Sequence, residues 1–405
     1  MELFLQFGHG MKALTIELSK KWGSASVILS PRDMSPHQLG VWSNEFENNN
    51  VKTYFDPQCY YPQSTHLKLS QYAYWDNDLV SNLKSNPKLI QKHIQSIKDY
   101  NDIAKTQALL LPCVLNPFND NEQWLESLLL QLNLYNDAAH RIESNKPIIA
   151  TLAIPKEILL GNEIAIGQLV QKLEGIEVDG FYLVAEANNH EYLQESPQWL
   201  SNVLYLSAAL KLSGKKVFVG YSNHQLLPLI LAKTDAMASG TWQNVRSFTN
   251  RFVDAGELKR KSTWVYYPES FSEYKVVFLD WAYNKGVLSL LQSKDKEYST
   301  ESIKKLFCGS NLPSMTGFSE TDAFFHYLCC LNHQISIIDK KSYDDAYNGY
   351  ELLLTVAERE IEKLEKNGIF AGVRSFKEYL DVNRAAINQF NKNFGFQMKM
   401  SWQVL

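Results

Sequence analysis

Cysteine is scarce in this chain of 405 residues: there are five, an odd number without the spacing of a secreted disulfide framework. No basic segment followed by an apolar core opens the sequence, so a reducing, cytoplasmic location is expected. Long apolar runs are missing too. The longest, such as "ALLLPCVL" from Ala108, fall well short of the roughly 20 residues that cross a bilayer, so a soluble protein with no membrane partner is expected. Nor does one sign of charge prevail. A formal charge of −4 gives no global attraction to nucleic acid, although "ELKRKSTW" (Glu257 to Trp264) holds the local basic cluster Lys259, Arg260 and Lys261, read as a solvated loop.

What the sequence does have is core material, 45% hydrophobic residues, arranged in a rhythm. A short apolar run, a polar break and a longer segment with helical spacing repeat through the first 250 residues. Strands are read from Leu3, Ser24, Val51, Ala108, Lys146, Val178, Lys215 and Asp235, eight in all. Alternation of this kind implies parallel strands joined by crossover helices, and eight in this length fit an α/β (β/α)8 TIM barrel better than an open sheet. The expected organisation is a barrel over 1–250 with a helical insertion at about 65–107, a subdomain over 251–337 and a helical extension over 338–405. In the extension Leu353, Val356, Ile361 and Leu364 form an apolar stripe, with a second helix from about Phe376 to Asn393.

Active sites of this fold lie on the loops after the strands, and here those loops are polar. They offer Gln6 and His9, Arg32 and Asp33, Asp56 and Gln58, Asn116, Glu186 with Asn188 and Asn189, Tyr221, Ser222 and Asn223, then Ser239, Thr241, Gln243, Asn244 and Arg246. Asp33 and Asn223 also read as helix caps, and His9, between two glycines, as part of a turn. Asp56 in "VKTYFDPQCYYP" and Glu186 in "YLVAEANN" stand where an apolar strand meets the mouth, where partial desolvation lifts a carboxyl toward the range useful for proton transfer. Gly220 and Gly240 follow the seventh and eighth strands, where backbone N–H groups often hold phosphate. Cys59 reads as a small core residue or a site thiol.

In topology and at three motifs, over about residues 1 to 340, the chain resembles the tRNA-guanine transglycosylase superfamily, including relatives that insert 7-deazaguanines into DNA. "YFDPQCYY" stands where that family ends its third strand in an aspartate, which falls at Asp56. "GFYLVAEANN" occupies the place of its base-contacting loop, and "VGYSNHQLLPLILAKTDAMASGTWQNVRSF" that of its last two strands. The family's nucleophilic aspartate falls at Ala238, with Ser239 the nearest hydroxyl, so the usual covalent route is lost. Its zinc motif retains Cys308 and His333 at the ends, but Ser310 and Pro313 replace two ligands; no zinc and no cofactor are expected.

The resemblance implies a purine or 7-deazapurine base held among Tyr60, Tyr61, Tyr221 and Trp242, with Asp56, Glu186 and Ser239 as catalytic candidates. Gln58, Arg32, Asn116, Gly220, Asn223, Gly240, Gln243, Asn244 and Arg246 would complete the binding set. It implies further a nucleic-acid or protein acceptor, a homodimer formed through the region after the barrel, and a role in nucleic-acid modification or antiviral defence. Two other readings stand beside it: a base- or partner-binding module without catalysis, and a barrel glycoside hydrolase with paired carboxylates.

Overall fold

Strands without a charged residue, such as "ASVIL" and "IIATLAI" with one hydroxyl each, have no charged face to show to water and are buried along their whole length. In the computed structural model, which describes residues 1–64, 66–79, 87–115, 121–142, 144–187, 192–249, 262–307 and 311–405, they form one parallel sheet. Its strands are β1 (Glu2–Gln6), β2 (Ala25–Leu29), β3 (Val51–Phe55), β4 (Leu109–Leu111), β5 (Ile148–Ile154), β6 (Gly180–Ala185), β7 (Lys216–Val219) and β8 (Ala236–Ser239). The order β3-β2-β1-β8-β7-β6-β5-β4 brings the first strand against the last, with Phe4 opposite Ala238. The seam between β3 and the three-residue β4 is bridged by Gln107 N–H donating to Thr53 O at 2.9 Å. The fold is a nearly closed (β/α)8 barrel, as the alternation implies.

Helices cover the sheet, and their starts are written in the sequence. Ser35 and Gln38 close a capping box on α1 (Pro36–Asn48), so Ser35 and not Asp33 is the cap there. Ser196 caps α3 (Pro197–Leu212) in the same position. After β7 the crossover is a 3₁₀ segment, His224–Ala232, which contains Pro228; proline lacks the N–H that an α-helix interior needs. In the insertion the clear helix is α2 (Pro87–Ile103), preceded by a 3₁₀ turn at Leu69–Gln71.

Beyond the barrel a hairpin of β9 (Trp264–Tyr267) and β10 (Ser272–Lys275) is antiparallel and heads a small second core with Leu279, Leu291, Leu306 and Phe318. Helix α4 (Glu320–Ile338) ties it to the barrel, because Tyr327, Leu328 and Leu331 belong to the main core. The extension is α5 (Tyr343–Lys366) and α6 (Tyr379–Ser401), and α6 packs along α3 on the barrel wall. The buried stripe of α5 is Tyr350, Leu354, Ala357, Ile361 and Leu364; Leu353 and Val356 flank it half-exposed. Among the described residues no helix is long and apolar enough to cross a membrane.

Inside the barrel, side chains of odd strands stack in layers. Phe4 of β1, Tyr54 of β3 and Phe218 of β7 meet with ring centroids 5.0 to 5.6 Å apart and plug the lower interior. Two residues further along the same strands, on the same face, stand Gln6, Asp56 and Gly220. An aromatic floor thus carries a polar layer at the C-terminal mouth.

Candidate functional site

Pro57 fixes the backbone after Asp56, and the carboxyl turns back so that Oδ1 accepts the N–H of Gln58 at 2.9 Å, an Asx turn. Gln58 takes up a left-handed φ of 55°. Its side chain is thereby set to accept from Ser30 Oγ and Arg32 N–H, both at 3.1 Å, and to donate from Nε2 to the Tyr221 hydroxyl at 3.0 Å. Tyr221 also has a left-handed φ, 50°. Two non-glycine residues held in that region flank one carboxyl, the kind of strain that surrounding structure must maintain.

Asp56 itself is 1% exposed. Its Oδ2 accepts from Tyr60 at 2.9 Å and from Tyr221 at 3.2 Å, and the Tyr182 hydroxyl adjoins both Asp56 and Gln6, donating to Gln6 Oε1 at 3.2 Å. Burial pushes the Asp56 carboxyl up to about 6, outweighing the Gln58 N–H and the tyrosine hydroxyls, which pull the other way. Such a group exchanges protons near neutral pH.

Tyr182 was not among the residues expected here. It reaches the centre because Gly220 has no side chain: a Cβ on Gly220 would stand 2.2 Å from the Tyr182 hydroxyl oxygen. Gly240 is likewise a matter of close approach, since its Cβ would meet the Gln6 carbonyl oxygen at 2.5 Å. Both glycines make room for protein atoms.

Phe248 closes the top. It is buried, it packs on Tyr60 with centroids at 5.0 Å and on Tyr221 at 5.2 Å, and its ring lies parallel to Tyr61 at 6.2 Å. Its carbonyl accepts the N–H of Ala187 at 2.7 Å, which fastens the β8 loop to the end of β6. Glu186 stands beside this bond, half-buried and raised chiefly by burial; it accepts Lys156 N–H at 3.2 Å and, at the long distance of 3.5 Å, the Tyr61 hydroxyl. Consecutive tyrosines therefore serve the two carboxyls. Tyr182 and Phe248 left only faint sequence signals, a tyrosine inside an aliphatic strand and an aromatic just after the last strand.

The remaining expected residues separate. Arg32 lies half-buried beside Gln58, and Asn116, Asn188 and Asn189 fall outside the described residues. Asn223 is spent on structure: Oδ1 accepts the N–H of Gln225 at 2.9 Å as a cap, and Nδ2 donates to the carbonyls of Tyr192 and Arg246. Ser239 is fully buried, and among the described residues neither a histidine nor a carboxylate hydrogen-bonds its hydroxyl to activate it as a nucleophile. Ala238 lies in the β8 wall. Cys59 is buried, and burial raises its thiol well above the usual range, which removes it as a reactive thiolate.

Trp242, Gln243, Asn244 and Arg246 line a different hollow, of about 250 Å³, between the β8 loop and the hairpin. Arg246 is 4% exposed and pairs with Glu273 at 3.1 Å. At the degenerate zinc motif, His333 Nε2 bonds Asp295 at 3.0 Å, Cys329 and Cys330 are buried in the core, and Cys308 and Ser310 fall outside the described residues. Among the described residues no group of three metal-ligating side chains converges.

No protein-family model and no curated protein matches the chain. Among solved structures, similarity is found to the GH53 catalytic domain of Ignisphaera aggregans, at 13% identity and TM-score 0.30, covering 51% of this chain and 60% of that one. Xylanase B of Clostridium stercorarium matches at 12% identity and TM-score 0.35, covering 62% and 94%. The enoyl reductase domain of MlnA from Bacillus amyloliquefaciens matches at 10% and 0.30, covering 90% and 95%. None of these three is a tRNA-guanine transglycosylase.

Proposed function

We propose that the barrel mouth binds a flat, purine-like base such as guanine or 7-deazaguanine, with Asp56 as the acid–base group and Glu186 as its more exposed partner. One observation carries the reading: a carboxyl poised near pH 6 is held by Gln58 and by the hydroxyls of Tyr60 and Tyr221, and on those two rings packs Phe248, itself parallel to Tyr61. Flat heterocycles stack on such faces, and their N–H edges suit a carboxylate that accepts only. Because Asp56 is 1% exposed, the base reaches it only when the Tyr61–Phe248 cover parts.

With alanine at 238 no carboxylate stands at the end of β8, and none follows through Thr249. A covalent step of the transglycosylase kind would fall to Glu186, and otherwise the site recognises the base without exchanging it. Calorimetric titration with guanine and with 7-deazaguanine, wild type against Asp56→Asn, tests the reading. Binding by wild type and its loss in the variant are expected; no binding by wild type, or equal binding by both, would sink it. Incubation with labelled base and RNA or DNA then distinguishes an enzyme from a binding module.

A second reading, glycoside hydrolysis, draws on the service of Asp56 and Glu186 by adjacent tyrosines. Turnover of aryl glycosides that vanishes in Glu186→Gln would favour it.

A further inference from the structure

The hollow between the β8 loop and the hairpin is apart from the Asp56 site and is built differently. At its base Glu273, 3% exposed, is shared by two guanidinium groups. Its Oε1 accepts from Arg246 at 3.1 Å and from the Tyr192 hydroxyl at 2.8 Å, while Oε2 is paired with Arg374. Arg246 is held on several sides: Nε donates to Gly240 O at 2.8 Å, Nη1 to the Tyr192 hydroxyl at 3.3 Å, and Cζ lies 3.5 Å from the centroid of the Tyr327 ring. Arg374 is held less closely. It is 18% exposed on its side chain, gives one nitrogen to Glu273, and rests 4.3 Å over Trp264.

Among the described residues two guanidinium groups bear on one buried carboxylate, which leaves a positive charge in a largely desolvated cluster, and buried charge calls for a counter-charge. Glu320 also lines the hollow, but among the described residues no ion pair joins it to either arginine. The walls are aromatic: Trp242 edge-on to Phe324 at 4.8 Å, with Trp264 beyond, while the amides of Gln243 and Asn244 stand exposed at the rim.

The geometry points to a second ligand site, for a small anion carried on a flat ring, with its phosphate or carboxylate on Arg374 and its ring against Trp242 and Trp264. About 250 Å³ admits a ligand of one or two rings, just under the ordinary span of small-molecule pockets. The site is independent of the reading at Asp56.

The test uses the full chain with phenyl phosphate, benzoate and uncharged phenol as probes, followed by calorimetry and by the indole N–H resonances of labelled tryptophan. Phenyl phosphate or benzoate is expected to bind at least tenfold more tightly than phenol, whichever binds better naming the anion. Shifts of the Trp242 and Trp264 signals locate the complex without any variant. Arg374→Met is expected to weaken binding at least tenfold at unchanged melting temperature, and Asp56→Asn to leave it unaltered. Phenol binding as well as the anions, absence of binding by both anions, or shifts confined to other tryptophans would overturn the proposal.

Discussion

Replacing Asp56 by Asn isolates the energetic cost of the buried carboxyl. In the folded chain burial pushes that group up to about 6 from an ordinary 3.8, which corresponds to about 3 kcal/mol. The folded state thus holds the proton more tightly than the unfolded one. The associated stabilisation is complete below about pH 3.8 and is lost as pH rises through about 6, because above that the folded chain must keep an ion where water cannot reach. Asparagine is nearly isosteric, accepts Gln58 N–H through Oδ1 and donates to the tyrosine oxygens, whose hydroxyls can turn. Its unfolding free energy carries no such proton. Urea unfolding of both proteins between pH 4 and 7 is the assay. The wild type should lose about 2 kcal/mol relative to the variant over that span, after every other titrating group cancels in the difference. Parallel curves would refute the burial argument and, with it, the assignment of Asp56 as a proton-exchanging group.

Phe248→Ala opens the cover: a loss of about 3 to 5 kcal/mol is expected, and the Asp56 carboxyl should move down toward its ordinary value, read by carbon NMR of labelled aspartate. Glu273→Gln leaves Arg246 and Arg374 without their buried anion and should cost about 3 to 5 kcal/mol in urea unfolding, a neutral result refuting the shared-carboxylate picture. Gly220→Ala drives a methyl into the Tyr182 hydroxyl at 2.2 Å, and because the ring carbon behind it is also within 2.6 Å, Tyr182→Phe should not rescue the loss of stability.

Much of the architecture was legible because a barrel strand is buried on both faces and reads as an unbroken apolar run, while its crossover helix reads with period 3.6. Asp56 and Gln58 were legible for a related reason: polar residues interrupting such a run at its C-terminal end have nowhere to lie but the mouth. What escaped was the assembly of groups from distant segments. Glu273 in "SFSEYKVVF", Tyr192 and Arg374 are ordinary residues until the hairpin, the β6 loop and the approach to α6 converge on Arg246, which was expected among substrate ligands and is held by an ion pair. Asn223 shows the converse, a polar residue at the mouth whose hydrogen bonds are all consumed in shaping the loop.

The β8 loop joins the buried Asp56 site to the arginine-lined hollow, so one substitution in it can disturb both. Arg246 faces Glu273, while Phe248, two residues later, covers Tyr60 and Tyr221. The intervening backbone is pinned from both sides, by Asn223 Nδ2 on the Arg246 carbonyl and by Ala187 N–H on that of Phe248. The loop can start where it does only because Gly240 lies against Gln6: a Cβ there would stand 2.5 Å from a backbone oxygen of β1, which has no rotamer to yield. Gly240→Ala must therefore displace the loop itself. Both the Asp56 titration and binding of phenyl phosphate or benzoate in the arginine-lined hollow should change in that variant, whereas Gly220→Ala, which strikes the Tyr182 side chain, should alter the Asp56 titration alone. If Gly240→Ala moved only one of the two readouts, the loop would not be the rigid element that these contacts make it.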